Sequence, residues 1–73
     1  MTILVHGYHL GQMQPRYCVA GTRTFFARHG MDWRGFLRHG LAVEAFEATG
    51  DAMAIKLAAH VRAQASAEVT GGR

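Results

Sequence analysis

Residues 19–41 read VAGTRTFFARHGMDWRGFLRHGL. Val19, Thr22, Phe25, Phe26 and His29 recur at spacings of three and four, which sets one face of a helix over 19–29. Arg28-His29-Gly30 closes that helix. Its cations sit in the last turn, against the carbonyl end of the dipole, and its glycine sits where a left-handed residue is needed. Asp32 then stands as the N-cap of a second helix over 33–39, with Trp33, Phe36 and Leu37 expected inward. Arg38-His39-Gly40 repeats the same stop. The sequence therefore specifies short helices broken by glycine rather than one long helix.

Working outward, VEAFEA at 43–48 is read as a helix of one to two turns with Val43 and Phe46 inward. Thr49-Gly50-Asp51 is a break, with Gly50 as stop and Thr49 or Asp51 as cap. Ala, Leu, Met, Lys, Arg and Gln fill residues 51–66, which predicts the longest helix of the chain. Its apolar stripe is Met53, Ala54, Leu57, Ala58, Val61 and Ala65. On the other side of the opening stretch, Thr2-Ile3-Leu4-Val5 is β-prone, but no second convincing strand is visible to pair with it.

The expected fold is all-α: a compact array of about four short helices with an extended N-terminal arm. Residues 1–16 form the arm, with Ile3, Leu4 and Val5 as a candidate pairing strand for another chain. Residues 17–66 form the helical domain and residues 67–73 a frayed tail. Phe25, Phe26, Trp33, Phe36, Phe46, Met53, Leu57 and Val61 are the expected core, and Gly30, Gly40 and Gly50 the helix stops. Seventy-three residues make one domain. At 49% hydrophobic and 18% charged residues the chain is too apolar for a disordered protein.

Catalytic chemistry finds little support. The five acids do not cluster as an acid–base pair, and no glycine-rich phosphate loop is present. His6 and His9 are three apart with Cys18 beyond them, but zinc sites usually show paired ligands at both ends, and a second pair is missing. No metal or other cofactor is expected, and no enzymatic activity. A single cysteine cannot form an intrachain disulfide, which suits a reducing compartment. No stretch approaches the about 20 apolar residues that span a bilayer, so no membrane partner is expected.

The basic residues carry more. Seven arginines and one lysine against five acids give a net charge of +3. Arg23, Arg28, Arg34 and Arg38 lie on two successive helices joined by a tight glycine turn, a geometry that overlaps with a helix-turn-helix. They are the candidate contacts for a partner or for nucleic acid. The plainer alternative is a solvated cationic face.

Tyr17-Cys18, Gly21-Thr22-Arg23, Phe25-Phe26, His29-Gly30, Asp32-Trp33, Phe36, Gly40-Leu41, Glu44 and Ala48-Thr49-Gly50-Asp51-Ala52 form a pattern over about half the chain. It resembles a group of small proteins encoded in bacteriophages and prophages of proteobacteria. The resemblance brings no catalytic residues. It implies a virion structural or assembly component acting by protein–protein contacts, with a helix-turn-helix-like DNA-binding regulator, or a modulator of a host target, as the alternative. A protein partner or self-association is then expected, nucleic acid is a second option, and the location is the host cytoplasm or the virion.

Overall fold

The core is built around one aromatic ring. Phe26 is fully buried, and its ring centroid lies 4.8 Å from that of Phe36, 5.2 Å from Trp33 and 5.7 Å from Phe46. Edge-to-face and tilted pairs at such separations add to the gain from burial. This cluster explains why helices too short to stand alone hold together: Phe26, the pair Trp33 and Phe36, and Phe46 come from three successive helices and meet at the same centre.

The computed structural model describes the backbone of residues 2–71 and the side chains of residues 2–67. In chain order it has β1 (Leu4–Val5), a 3₁₀ helix (Gly7–Gln12), α1 (Val19–Arg28), α2 (Trp33–His39), β2 (Leu41–Ala42), α3 (Val43–Glu47) and α4 (Ala52–Gly71). β1 and β2 pair antiparallel, Leu4 opposite Ala42 and Val5 opposite Leu41. The protein is thus mostly helical, with a two-stranded sheet that the all-α expectation lacks. α4 continues through Gly71, past the tail expected from residue 67, and residues 72–73 of that tail lie outside the described residues.

Local chemistry places the helix ends. The Asp32 carboxylate accepts the Gly35 N–H at 3.0 Å, and the Asp51 carboxylate accepts the Ala54 N–H at 2.9 Å. Gly30, Gly40 and Gly50 all take positive φ, at 65°, 81° and 73°. α4 turns Ala54, Leu57, Ala58 and Val61 to the core. The short alanine side chains let it lie close to α3, and Arg62 fastens the two by a bidentate pair with Glu47, at 2.7 and 2.9 Å.

Residues 2–16 do not stand off as an extended arm. The Val43 N–H donates to the Ile3 carbonyl at 3.0 Å, which extends the β1–β2 pairing. Val5, Leu10 and Met13 are buried in the core, Ile3 packs against it, and Leu4 is the exposed member of the strand. The backbone groups expected to need another chain find their partners on β2. The β-prone segment is short, but so is the strand it meets, and burial of its alternate residues holds the pairing in place.

Two core assignments also differ. Met53 is 59% exposed and Leu37 56% exposed. Met53 lies on the flank of α4, where its carbonyl accepts the Tyr17 hydroxyl at 2.9 Å while its side chain faces outward. In α2 the buried side is taken by Phe36, with Trp33 half-buried beside it, and Leu37 falls to the edge. Phe25 is half-buried. Phe36, Phe46, Leu57 and Val61 join Phe26 among the buried residues.

Candidate interaction surfaces

Three features of the surface carry chemistry beyond the fold: a cationic face, an apolar cleft and a histidine–glutamine chain.

The cationic face comes from a segregation of charge along the chain. Residues 16–40 hold five arginines against the single carboxylate of Asp32, and the remainder of the chain is net −1. Arg23, Arg28, Arg34 and Arg38 are all exposed. The described carboxylates are occupied elsewhere: Asp32 and Asp51 cap helices, and Glu44 and Glu47 bind Arg62. That bond to Arg62 holds the Glu47 carboxyl below the usual carboxylate range. Among the described residues, no ion pair neutralises the arginines of α1 and α2. The four arginines do not form one cluster. On α1, Arg28 turns to the cleft, whereas Arg23 lies on the far side of the helix. On α2, Arg34 and Arg38 flank Leu37 on the solvent side.

The cleft lies between α1 and the first half of α4. It has a volume of about 260 Å³ and is lined by Tyr17, Cys18, Thr22, Phe25, Met53 and Leu57, among others, with Arg28 and Asp51 also on its wall. Burial and the nearby Asp51 raise the Tyr17 phenol above its ordinary value, so it stays protonated and keeps donating to the Met53 carbonyl. Cys18 is exposed at the start of α1.

The third feature joins the 3₁₀ helix to α4. The buried His9 accepts the His6 backbone N–H on Nδ1 at 2.8 Å and meets Gln64 Oε1 through Nε2 at 3.0 Å. Gln64 Nε2 donates to Gln12 Oε1 at 2.9 Å, and His60 Nε2 reaches the same oxygen at 3.0 Å. Tyr8 stacks on His6 at 5.4 Å with the rings 9° apart. The described His, Cys, Asp and Glu side chains form no group that could hold a metal ion. In the sequence, His6, His9 and Cys18 stand out by their spacing but lack the second ligand pair of a metal site. The structure instead pairs His9 with Gln64 across most of the chain, a contact with no local signature. The only sequence hint is that His60 and Gln64 share one face of a helix.

No family model, curated protein or solved structure matches this chain. No helix among the described residues is long and apolar enough to cross a membrane.

Proposed function

We propose that the protein is a small non-enzymatic phage or prophage protein that acts by protein–protein contacts, as a structural or assembly component of the particle. The observation that carries this reading is the open apolar cleft between α1 and α4. Its wall of Phe25, Leu57 and the exposed Met53 offers room for an apolar side chain of a partner, at a place where a small domain gains from further burial. Two of the polar side chains beside it hold the fold: Tyr17 binds a carbonyl and Asp51 caps a helix. The non-enzymatic part of the reading rests on that use of the polar groups. The resemblance to phage-encoded proteins supplies the setting: synthesis in the host cytoplasm, then incorporation into the particle.

The test is particle assembly with the cleft filled. Thr22→Trp places a large side chain on the cleft wall from a half-buried position of α1. The wild-type chain should co-sediment with particles or assembly intermediates in a density gradient, and the variant should not. A chain that stays wholly in the low-mass fractions, with particle yield unchanged when its gene is deleted, overturns the reading.

A second reading, a DNA-binding regulator, is favoured by one specific observation: the charge segregation that leaves the α1–α2 unit net cationic.

A further inference from the structure

We propose that the solvent face of α2, formed by Arg34, Leu37 and Arg38 with Tyr8 at its margin, is a contact surface for the major groove of duplex DNA. The inference rests on the second reading above and gives it an orientation.

The face is defined by what α2 buries. Phe36 is 1% exposed and Trp33 packs against the core, which fixes the rotation of the helix. Arg34, Leu37 and Arg38 then project together, because positions three and four apart share a side of a helix. The rotation is held at both ends. Asp32 caps the start of α2, and its end at Gly40 is overlaid by the His6 ring, 2.7 Å from where a glycine Cβ would stand. Leu37 lies 3.6 Å from the corresponding point on Gly7, so the 3₁₀ helix abuts α2 on this side. Tyr8, 64% exposed, follows Gly7 and stacks on His6, whose ring lies over Gly40, which places an aromatic ring near the C-terminal end of α2.

The chemistry of the face selects the occupant. Two arginines one turn apart, with no carboxylate paired to them among the described residues, call for a polyanion. A convex helix about 10–12 Å across matches the roughly 12 Å width of the B-DNA major groove. The major groove of A-form RNA is too deep and narrow to admit it. Arginine can bind phosphate or the guanine edge, and Leu37 between the two arginines can meet a thymine methyl. α1, joined through the turn at Gly30, packs its Phe26 against Trp33 and Phe36 on the opposite, buried side of α2.

The experiment uses the full chain and a fluorescently labelled duplex, with binding read by anisotropy across a salt series. The wild-type protein should bind, and binding should weaken steeply with salt. In the Arg34→Ala/Arg38→Ala variant, the loss of affinity between about 50 and about 200 mM salt should be about tenfold smaller, since each lost phosphate contact removes close to one unit of the logarithmic salt slope. Tyr8→Ala should weaken binding with less change of slope. All three side chains are exposed, so far-UV spectra of the variants should match the wild type. Absence of duplex binding at low salt overturns both this inference and the DNA reading. Duplex binding with unchanged affinity and an unchanged slope in the double variant overturns the α2 assignment and leaves the DNA reading standing. Equal binding to a poly-glutamate peptide also overturns the inference, because it assigns the face to acidic proteins.

Discussion

The three glycine stops differ in what a side chain would meet. All have positive φ, where an L-residue costs about 1–2 kcal/mol, and Gly40 pairs it with a ψ of 175°, a combination essentially confined to glycine. At Gly30 and Gly50 an added Cβ faces open space, so that backbone cost is the whole effect. At Gly40 the same atom would stand 2.7 and 2.8 Å from the His6 ring and 3.0 Å from the Val5 carbonyl oxygen. Alanine there must also displace His6 and press against β1. Thermal melts should therefore rank Gly40→Ala well below Gly30→Ala and Gly50→Ala. At about 4–8 °C per kcal/mol for a domain of this size, the first two differ by several degrees. Equal midpoints for Gly30→Ala and Gly40→Ala would remove the close approach of His6 from the account. The same scale separates two residues the sequence reads alike. Phe26→Ala opens a cavity at the aromatic centre and should cost about 3–5 kcal/mol. Met53→Ala, on an exposed flank, should cost less than about 1 kcal/mol. Chemical denaturation measures both, and a large loss at Met53 would return it to the core. The left-handed stops were legible because glycine after a cationic last turn is a local signal. The approach of His6 to Gly40 joins residues far apart in the chain and leaves no such mark.

At the scale of elements, the join between the 3₁₀ helix and α4 has a definite protonation state. A backbone N–H can only donate, so the His6 N–H makes His9 Nδ1 an acceptor and puts the ring proton on Nε2, facing Gln64 Oε1. A second proton on His9 would set an N–H against an N–H. Burial lowers the proton affinity of His9, and the neighbouring His6 and His60 lower it further, while the bonds to Gln64 and His6 oppose the shift. The folded state thus holds His9 neutral at pH values where the unfolded chain, with an ordinary histidine near 6.5, takes up a proton. More protons on the unfolded state mean that stability rises with pH. Stability is full above about 6.5 and falls as pH drops from there through the lowered folded value. Urea midpoints at about pH 8 and about pH 5 should show that loss, and His9→Gln, which cannot titrate, should show a smaller one. The same fractional loss in both proteins would place the acid sensitivity elsewhere. Sequence reading found His6 and His9 but looked for metal ligands around them, because side-chain amides 55 residues away in α4 cannot be anticipated from spacing.

At the scale of the whole molecule, α1, α2 and the start of α4 were readable because caps, stops and apolar spacing act within a few residues. The role of residues 2–13 was not, because it depends on strands of two residues that meet across 35 intervening positions, Val5 against Leu41 being the nearer pair by sequence. This changes what truncation should do. An arm that reached out to another chain could be removed with helical content nearly intact. The segment instead supplies Val5 at 0%, Leu10 at 3% and Met13 at 4% exposure to the core, and His9 to the join with α4. Each fully buried aliphatic side chain contributes about 1.5–3 kcal/mol. A chain of this length has a total stability of only about 4–11 kcal/mol, at about 0.05–0.15 kcal/mol per residue. Deleting residues 2–11 takes away Val5 and Leu10, the β1 pairing and the His9 bond to Gln64, a loss comparable with the whole. The short helices cannot persist without their packing. The truncated protein should therefore show reduced far-UV helicity and no cooperative melt. The full-length double variant Val5→Thr/Leu10→Asn, which keeps the chain but replaces buried apolar groups by polar ones, should move the melting midpoint in the same direction. A truncated chain that keeps both its helical spectrum and a cooperative transition would mean that the helical part folds on its own and that the N-terminal segment is free for a partner after all.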